Sequence, residues 1–299
     1  MVYRNLFLLN PARVSVKNEQ LVVEGKEWRT VPLEDIECIV ADSLQTTFTA
    51  YALSKCAEYR VTVFFSNETH LPAGVLLPFC AHSRHLSVLE RQLALSRPAA
   101  KRLWAQIVTA KIQNQAEVLK HLECLAWEEL SAISRKVKSG DSEHQEAVAA
   151  ALYFRALFGP DFVRNDGTVL NAFLNYGYAI FRSTVAKQLC AYGFEPSLGL
   201  LHHSQLNSFN LADDVMEPYR PIVDLYTAQN ASDDLAEFTG KDKAALLDLL
   251  NMDVEMGGSR YAVSYAMEKT VQSLSAALSG GQETLLLPEL LPLSRHRYE

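Results

Sequence analysis

Long apolar runs, closely spaced cysteines and glycine-rich loops are all missing from this 299-residue sequence, and each absence removes a class of protein. No stretch of about 18 or more apolar residues occurs, so no membrane span is expected. The apolar run Leu6–Leu9 is too short for a signal peptide, which makes a cytoplasmic protein the expectation. The five cysteines, at 38, 56, 80, 124 and 190, never fall within four residues of one another. Zinc-knuckle and thioredoxin-like spacings are therefore excluded, and buried free thiols in a reducing compartment are expected. There is no Walker-type phosphate loop, no Gly-x-Ser-x-Gly nucleophile elbow and no Glu-x-x-His pair of the kind a di-iron bundle needs.

Overall basic character is also missing. The formal net charge is −7, which argues against a nucleic-acid partner. The charge is unevenly spread, however. Residues 1–80 carry −2, 81–120 carry +5, 121–220 carry −4 and 221–299 carry −6. The positive block holds Arg84, Arg91, Arg97, Lys101, Arg102, Lys111 and Lys120. Such a stripe is either a solvated helix face or a local phosphate-binding surface on an acidic protein.

What is present divides into two textures. Residues 1–80 read as short strands: Leu6–Leu9, the alternating Val14 and Val16, a hairpin at Asn18-Glu19-Gln20 before Leu21-Val22-Val23, then Trp28–Val31, Ile36–Val40 and Val61–Phe65. One helix is expected over Tyr51–Glu58, and a last strand at Val75-Leu76-Leu77 between Pro72 and Pro78. Residues 81–100 read as a linker entering a helix. From residue 101 to 299 the period is helical. The spacing predicts a helix from about Pro98 past Lys120 to about Arg135, then Glu143–Phe158 and Val169–Tyr192. A helix capped by Asn210 follows, and Asp233–Thr239, Lys243–Asn251 and Ser259–Leu278 complete the set. The expected fold is α+β, a small N-terminal β-rich domain followed by a larger all-α domain.

The segment Gly199–Pro221, GLLHHSQLNSFNLADDVMEPYRP, concentrates two histidines, two asparagines and three acids. With Glu146 in EAVAAALYF it could supply a Glu-His-Glu set for a divalent ion, which would align oxygen nucleophiles at phosphorus. Each residue also has an ordinary structural reading. Glu146 in a first helical turn suits the helix dipole. Adjacent His202 and His203 cannot share one helix face, so at most one is a ligand. Asp213, Asp214 and Glu217 fit a helix start, where their like charges repel unless a cation or Arg220 relieves them.

Motifs along nearly the whole chain carry a resemblance: KNEQLVV, VPLEDIECIV, RLWAQIVTAKIQNQA, EAVAAALYF, LNAFLNYGYAIFRS and LGLLHH…NSFNLADDVMEPYRP. The sequence resembles the first family of CRISPR-associated proteins, the adaptation integrase/endonuclease, and is most like the version accompanying type II systems. The resemblance implies a β-sandwich-like dimerisation domain at 1–80 and a helical catalytic domain at 101–299. It implies Mg²⁺ or Mn²⁺ held by Glu146, His202 and Glu217, which are then both metal ligands and catalytic residues. Ala147 stands where many members have glycine. His203, Asp213, Asp214, Asn175 and Tyr176 are possible accessories. Arg84, Lys101, Arg102, Lys111, Arg182 and Arg220 become the candidate DNA contacts. The implied activity is insertion of short foreign DNA fragments into a CRISPR array, by attack of a 3′-hydroxyl on a phosphodiester. The implied partners are DNA (prespacer and repeat), a second copy of the chain and a second adaptation protein, in a prokaryotic cytoplasm. Two competing readings remain open: a non-catalytic DNA scaffold, and a general metal-dependent repair nuclease.

Overall fold

The computed structural model describes residues 4–68, 72–77, 83–164, 166–231, 237–281 and 283–297. The chain divides into two compact units, Met1–His82 with Arg297–Glu299, and Ser83–His296.

The first unit is built from β1 (Arg4–Leu8), β2 (Arg13–Lys17), β3 (Gln20–Glu24), β4 (Trp28–Pro32), β5 (Ile36–Ala41), β6 (Thr47–Phe48), α1 (Ala50–Glu58), β7 (Thr62–Ser66) and β8 (Pro72–Leu76). These strands form two four-stranded sheets, ordered β1-β5-β7-β8 and β4-β3-β2-β6. The expected hairpin is a two-residue turn, with Asn18 and Glu19 both left-handed at φ 53° and 58° and Lys17 paired with Gln20. Alternation then sends Val14, Leu21 and Val31 of one sheet into a core shared with Ile36, Ile39 and Val63 of the other and Cys56 of α1. Thr49 caps α1, its hydroxyl accepting from Ala52 N at 3.1 Å. Burial pushes the Cys56 thiol up to about 11, as it does Cys190 in the second unit. The four described cysteines are all free, and Cys80 lies outside the described residues.

The second unit contains α2 (His85–Leu93), α3 (Arg97–His121), α4 (Trp127–Ser134), α5 (Gln145–Phe158), α6 (Val169–Ala191), α7 (Asn210–Met216), α8 (Arg220–Asn230), α9 (Gly240–Asp248), β9 (Met252–Met256), β10 (Ser259–Ala262), α10 (Val263–Leu278) and β11 (Glu289–Arg295). A 3₁₀ turn, Glu217–Tyr219, joins α7 to α8. The central α3 packs on α4, α5, α8 and β11. It is capped by Ser96, with Pro98 in its first turn. The α+β expectation is met.

Several finer points differ. The stretch expected as linker includes α2 and the first turn of α3. The expected long helix breaks after His121 because Glu123 adopts φ 56° and Cys124 N bonds back to Leu119 O at 2.8 Å, a helix stop without glycine. The helical unit also carries a three-stranded sheet, β10-β9-β11. Gly257 and Gly258, at φ 59° and 79°, turn β9 into β10, so the helix expected from Ser259 begins at Val263. Most of the helix expected over Asp233–Thr239 falls outside the described residues, as does Pro78.

Helix α6 crosses α8 closely at Gly177, where an added Cβ would stand 2.4 Å from Val223 Cγ1. The Gly177→Ala substitution is expected to destabilise the protein by about 1–3 kcal/mol through overpacking. Adding Val223→Ala should recover part of that loss in a denaturant titration, whereas strictly additive losses would remove the crossing as the cause.

Candidate functional site

The candidate residues come from four pieces of the second unit. Lys111 lies on α3, Glu146 opens α5, His202 sits in the loop before α7, and Asp213, Asp214, Glu217 and Arg220 follow on α7, the 3₁₀ turn and α8. Glu146 is held at the start of α5 by Asp141, whose two carboxylate oxygens accept from Gln145 N at 2.8 Å and Glu146 N at 3.0 Å. Ala149 and Tyr153, three and seven residues on, are fully buried, so Glu146 lies on the inward face. Val148, two residues on, is exposed.

The loop that carries His202 is tied to Asp214. Its carboxylate is completely buried and accepts from Leu200 N (2.5 Å), Leu201 N (3.1 Å) and His202 N (3.4 Å). The His202 ring places Nδ1 2.5 Å from Asp214 Oδ1, with Trp104 packed edge-on against it. An Nδ1–H donated to Asp214 leaves Nε2 as the ligand nitrogen of the neutral ring. The hydrogen bond to Asp214 raises the His202 pKa, burial works against it, and Glu217 and Glu146 add to the rise. Gly199 permits this loop: a Cβ there would stand 2.3 Å from His202 O and 2.8 Å from Asp214 Oδ2. Asn210, expected to cap a helix, instead braces the loop by donating to Ser197 O and Ser204 O at 3.0 and 2.9 Å.

Glu146 and Glu217 meet at one point. Lys111 Nζ lies 2.7 Å from Glu146 Oε1 and 2.6 Å from Glu217 Oε2. Arg220 Nε is 2.8 Å from Glu217 Oε1. Burial opposes ionisation of Glu217, but Arg220 and Lys111 outweigh it and hold the carboxyl below its usual range. Burial likewise works against the Lys111 charge, and Glu217 and Glu146 more than restore it. The Glu217 Oε2 contact is an ion pair by distance only. That buried oxygen accepts no hydrogen bond of good geometry.

This observation tests whether a divalent cation fits. The donors are two carboxylates and one imidazole, the carboxylates already converge on a cation, and one buried oxygen has no directional partner. The set suits Mg²⁺ or Mn²⁺. Among the described residues no three His, Cys, Asp or Glu side chains are grouped as ready metal ligands. The ammonium of Lys111 stands between the two carboxylates.

The other expected site residues scatter. Asp213 pairs with Arg182 at 2.7 and 3.1 Å and accepts from Asn207 Nδ2 at 2.7 Å. His203 lines a separate cavity of about 540 Å³ with Leu93, Arg97 and Leu278. Asn175 accepts from Arg164 Nη2 at 2.8 Å, and Tyr176 packs on Phe238. Arg84 and Lys101 are exposed. Arg102 is paired with Glu283 at 2.7 and 2.8 Å. Lys111 and Arg220, expected on DNA, point inward instead.

Sequence reasoning missed the layer beneath the site. Asp224 is buried and accepts from Tyr153 OH at 3.0 Å and from Tyr178 OH. The Arg220 guanidinium stacks on the Tyr178 ring, 4.5 Å from its centroid. The signal was the pairing of EAVAAALY and YGY with an aspartate inside α8.

With this geometry in place, the comparisons decide the family. Residues 6–248 match the model of CRISPR associated protein Cas1. A CRISPR-associated endonuclease Cas1 from Neisseria meningitidis serogroup C (strain 8013) is 41% identical over 304 residues, covering 100% of both chains. The chain belongs to the Cas1 family. A CRISPR-associated endonuclease Cas1 from Saccharolobus solfataricus is 27% identical over 71% of this chain and 70% of its own. Among solved structures, a casposase bound to integration product aligns with a TM-score of 0.78 and 20% identity, covering 95% of this chain and 92% of that one. A Cas1 protein from Thermotoga maritima gives 0.75 and 17%, covering 93% and 98%. A Cas6-RT-Cas1–Cas2 complex gives 0.72 and 20% over 97% of this chain and 36% of that one. These three share the fold. No described helix is long and apolar enough to cross a membrane.

Two predictions rest on the buried acids. In Asp214→Asn the His202 pKa should fall toward its ordinary value, read from the imidazole proton shifts across a pH titration. An unmoved titration curve would detach Asp214 from His202. Burial raises the Asp224 pKa from 3.8 to about 6 despite Tyr178 and Tyr153. A raised acid stabilises the fold below its unfolded pKa and loses that contribution as pH climbs through the folded value. Unfolding free energy should therefore decline between about pH 4 and 7 by on the order of 3 kcal/mol from this group. In Asp224→Asn that decline should shrink, and an equal slope in both proteins would contradict it.

Proposed function

We propose that this Cas1-family protein is a DNA integrase/endonuclease of CRISPR adaptation, joining a 3′-hydroxyl of a short DNA fragment to a phosphodiester at the edge of a repeat. The observation that carries the reading is the convergence of Glu146 and Glu217 on a single cation position, with His202 oriented by Asp214 nearby. When bound by Glu146, His202 and Glu217, Mg²⁺ or Mn²⁺ would supply Lewis-acid alignment of the attacking oxygen and neutralise charge growing at phosphorus.

The protein's own groups do the rest. Asp214 fixes the His202 tautomer, so that Nε2 keeps its lone pair. Arg220 Nε pairs by charge with one Glu217 oxygen at 2.8 Å, and the other oxygen stands beside Lys111. Six of the seven basic residues between 81 and 120 are exposed, Lys111 being the exception. The six offer a track for the phosphate backbone, as phosphate contacts position a duplex without reading its sequence. The full-length likeness to a Neisseria meningitidis CRISPR-associated endonuclease supports the activity, and the Cas1–Cas2 neighbour supports a second adaptation protein as partner. A homodimer through the β-rich unit completes the assembly we infer.

The test is a branched DNA mimicking a half-integrated intermediate, incubated with Mn²⁺. The wild type should rejoin the branch and release the flap, while Glu146→Ala should lose at least about 100-fold in rate, the scale of losing one electrostatic contact to the reacting groups. Unchanged DNA binding would locate the loss in the chemistry. If Glu146→Ala reacts as fast as the wild type, the assignment of the site falls. If neither protein reacts although both bind the DNA, the chain is a scaffold.

A further inference from the structure

Lys111 is the member of the basic block that does not face solvent. Its side chain is 12% exposed, and its ammonium touches Glu146 and Glu217 alone among the described residues. Asp141 accepts from the Glu146 backbone, and Arg220 Nε stands 2.8 Å from the second oxygen of Glu217. If the lysine leaves, the Glu146 backbone keeps Asp141 and the Glu217 carboxylate keeps a charge beside it in Arg220. It donates a hydrogen bond to Glu146 at 2.7 Å, while its contact with Glu217, like that of Arg220 Nε, is an ion pair by distance alone. A divalent ion and an ammonium cannot share this point: three positive charges would face two carboxylates in a partly dry pocket, where like charges repel strongly. A flexible four-carbon stem is suited to swinging aside, unlike the planar fork of an arginine.

We propose that Lys111 is a tethered placeholder cation, which keeps Glu146 and Glu217 paired in the metal-free protein and competes with the divalent ion for them. The idea rests on the reading of Glu146 and Glu217 as metal ligands. It makes the site's metal affinity a compromise. Without Lys111 the two acids would repel each other before metal arrives, and the empty-handed fold would be the less stable one. With Lys111 that strain is relieved, and each metal ion must first displace an ion pair.

The test measures Mn²⁺ binding to the full chain by calorimetry, together with thermal unfolding with and without the metal, and needs no DNA. Lys111→Met removes the charge at similar length, and Lys111→Gln keeps a polar end should the first variant fold poorly. Both should bind Mn²⁺ at least tenfold more tightly than the wild type. Their melting temperatures without metal should be lower, and Mn²⁺ should raise them further than it raises the wild type's. Glu146→Ala is the control. If that control loses Mn²⁺ while both lysine variants bind it no more tightly than the wild type, the placeholder is overturned and the metal site stands. If Glu146→Ala binds Mn²⁺ like the wild type, the metal site falls and takes the placeholder with it.

Discussion

Four carboxylates within twelve residues, Asp213, Asp214, Glu217 and Asp224, are at most 7% exposed, and the rest of the second unit is arranged around keeping them there. A buried charge without a partner would cost several kcal/mol. Each acid is answered differently. Asp213 takes the Arg182 fork and Asn207. Asp214 takes three backbone N–H groups and the His202 ring. Glu217 takes Arg220 and Lys111, and Asp224 takes two tyrosine hydroxyls. The partners come from α3, α5, α6, α8 and the loop before α7, so satisfying the acids also fixes how those elements meet.

The differences in partner set the chemistry. Asp214, surrounded by donors, serves as an anchor that bends the chain over itself, and glycine at 199 follows because any Cβ would strike His202 O. Asp224, answered by neutral hydroxyls, is pushed toward its protonated form, and it supports Arg220 through the Tyr178 ring. Glu217, answered by two cations, stays ionised. Ionisation suits a metal ligand, and Glu217 shares Lys111 with Glu146, a carboxylate from another helix.

The sequence made the two textures legible because they are local: alternation over β2 and β3, and helical spacing over α5 and α6, need no partner to be seen. The candidate ligands were legible as a cluster, and the family motifs narrowed them. Their neighbours were not. Lys111 sits in a run of basic residues and looked like surface, since burial by a carboxylate on another helix leaves no mark on local spacing. Asn210 has the composition of a cap, and its side chain turned to the loop carbonyls instead. The stop at Glu123 lacks the glycine that signals one. The β9–β10 hairpin, by contrast, was readable from Gly257-Gly258 after an alternating strand, and the helical pattern of the following residues masked it.

The acidic balance that argued against a nucleic-acid partner is weakened by the same burial. Among the described residues six acids, Asp42, Asp141, Asp213, Asp214, Glu217 and Asp224, are buried, and inward-facing Lys111 and Arg220 answer one of them. A charge held inside by its own partners contributes little to the field that an approaching phosphate meets, whereas the exposed arginines and lysines before and along α3 face solvent, with Arg102 and Lys120 beside acids of their own. Net charge reports on the whole chain and binding on the surface. In a fold that buries its acids to build a site, the two diverge.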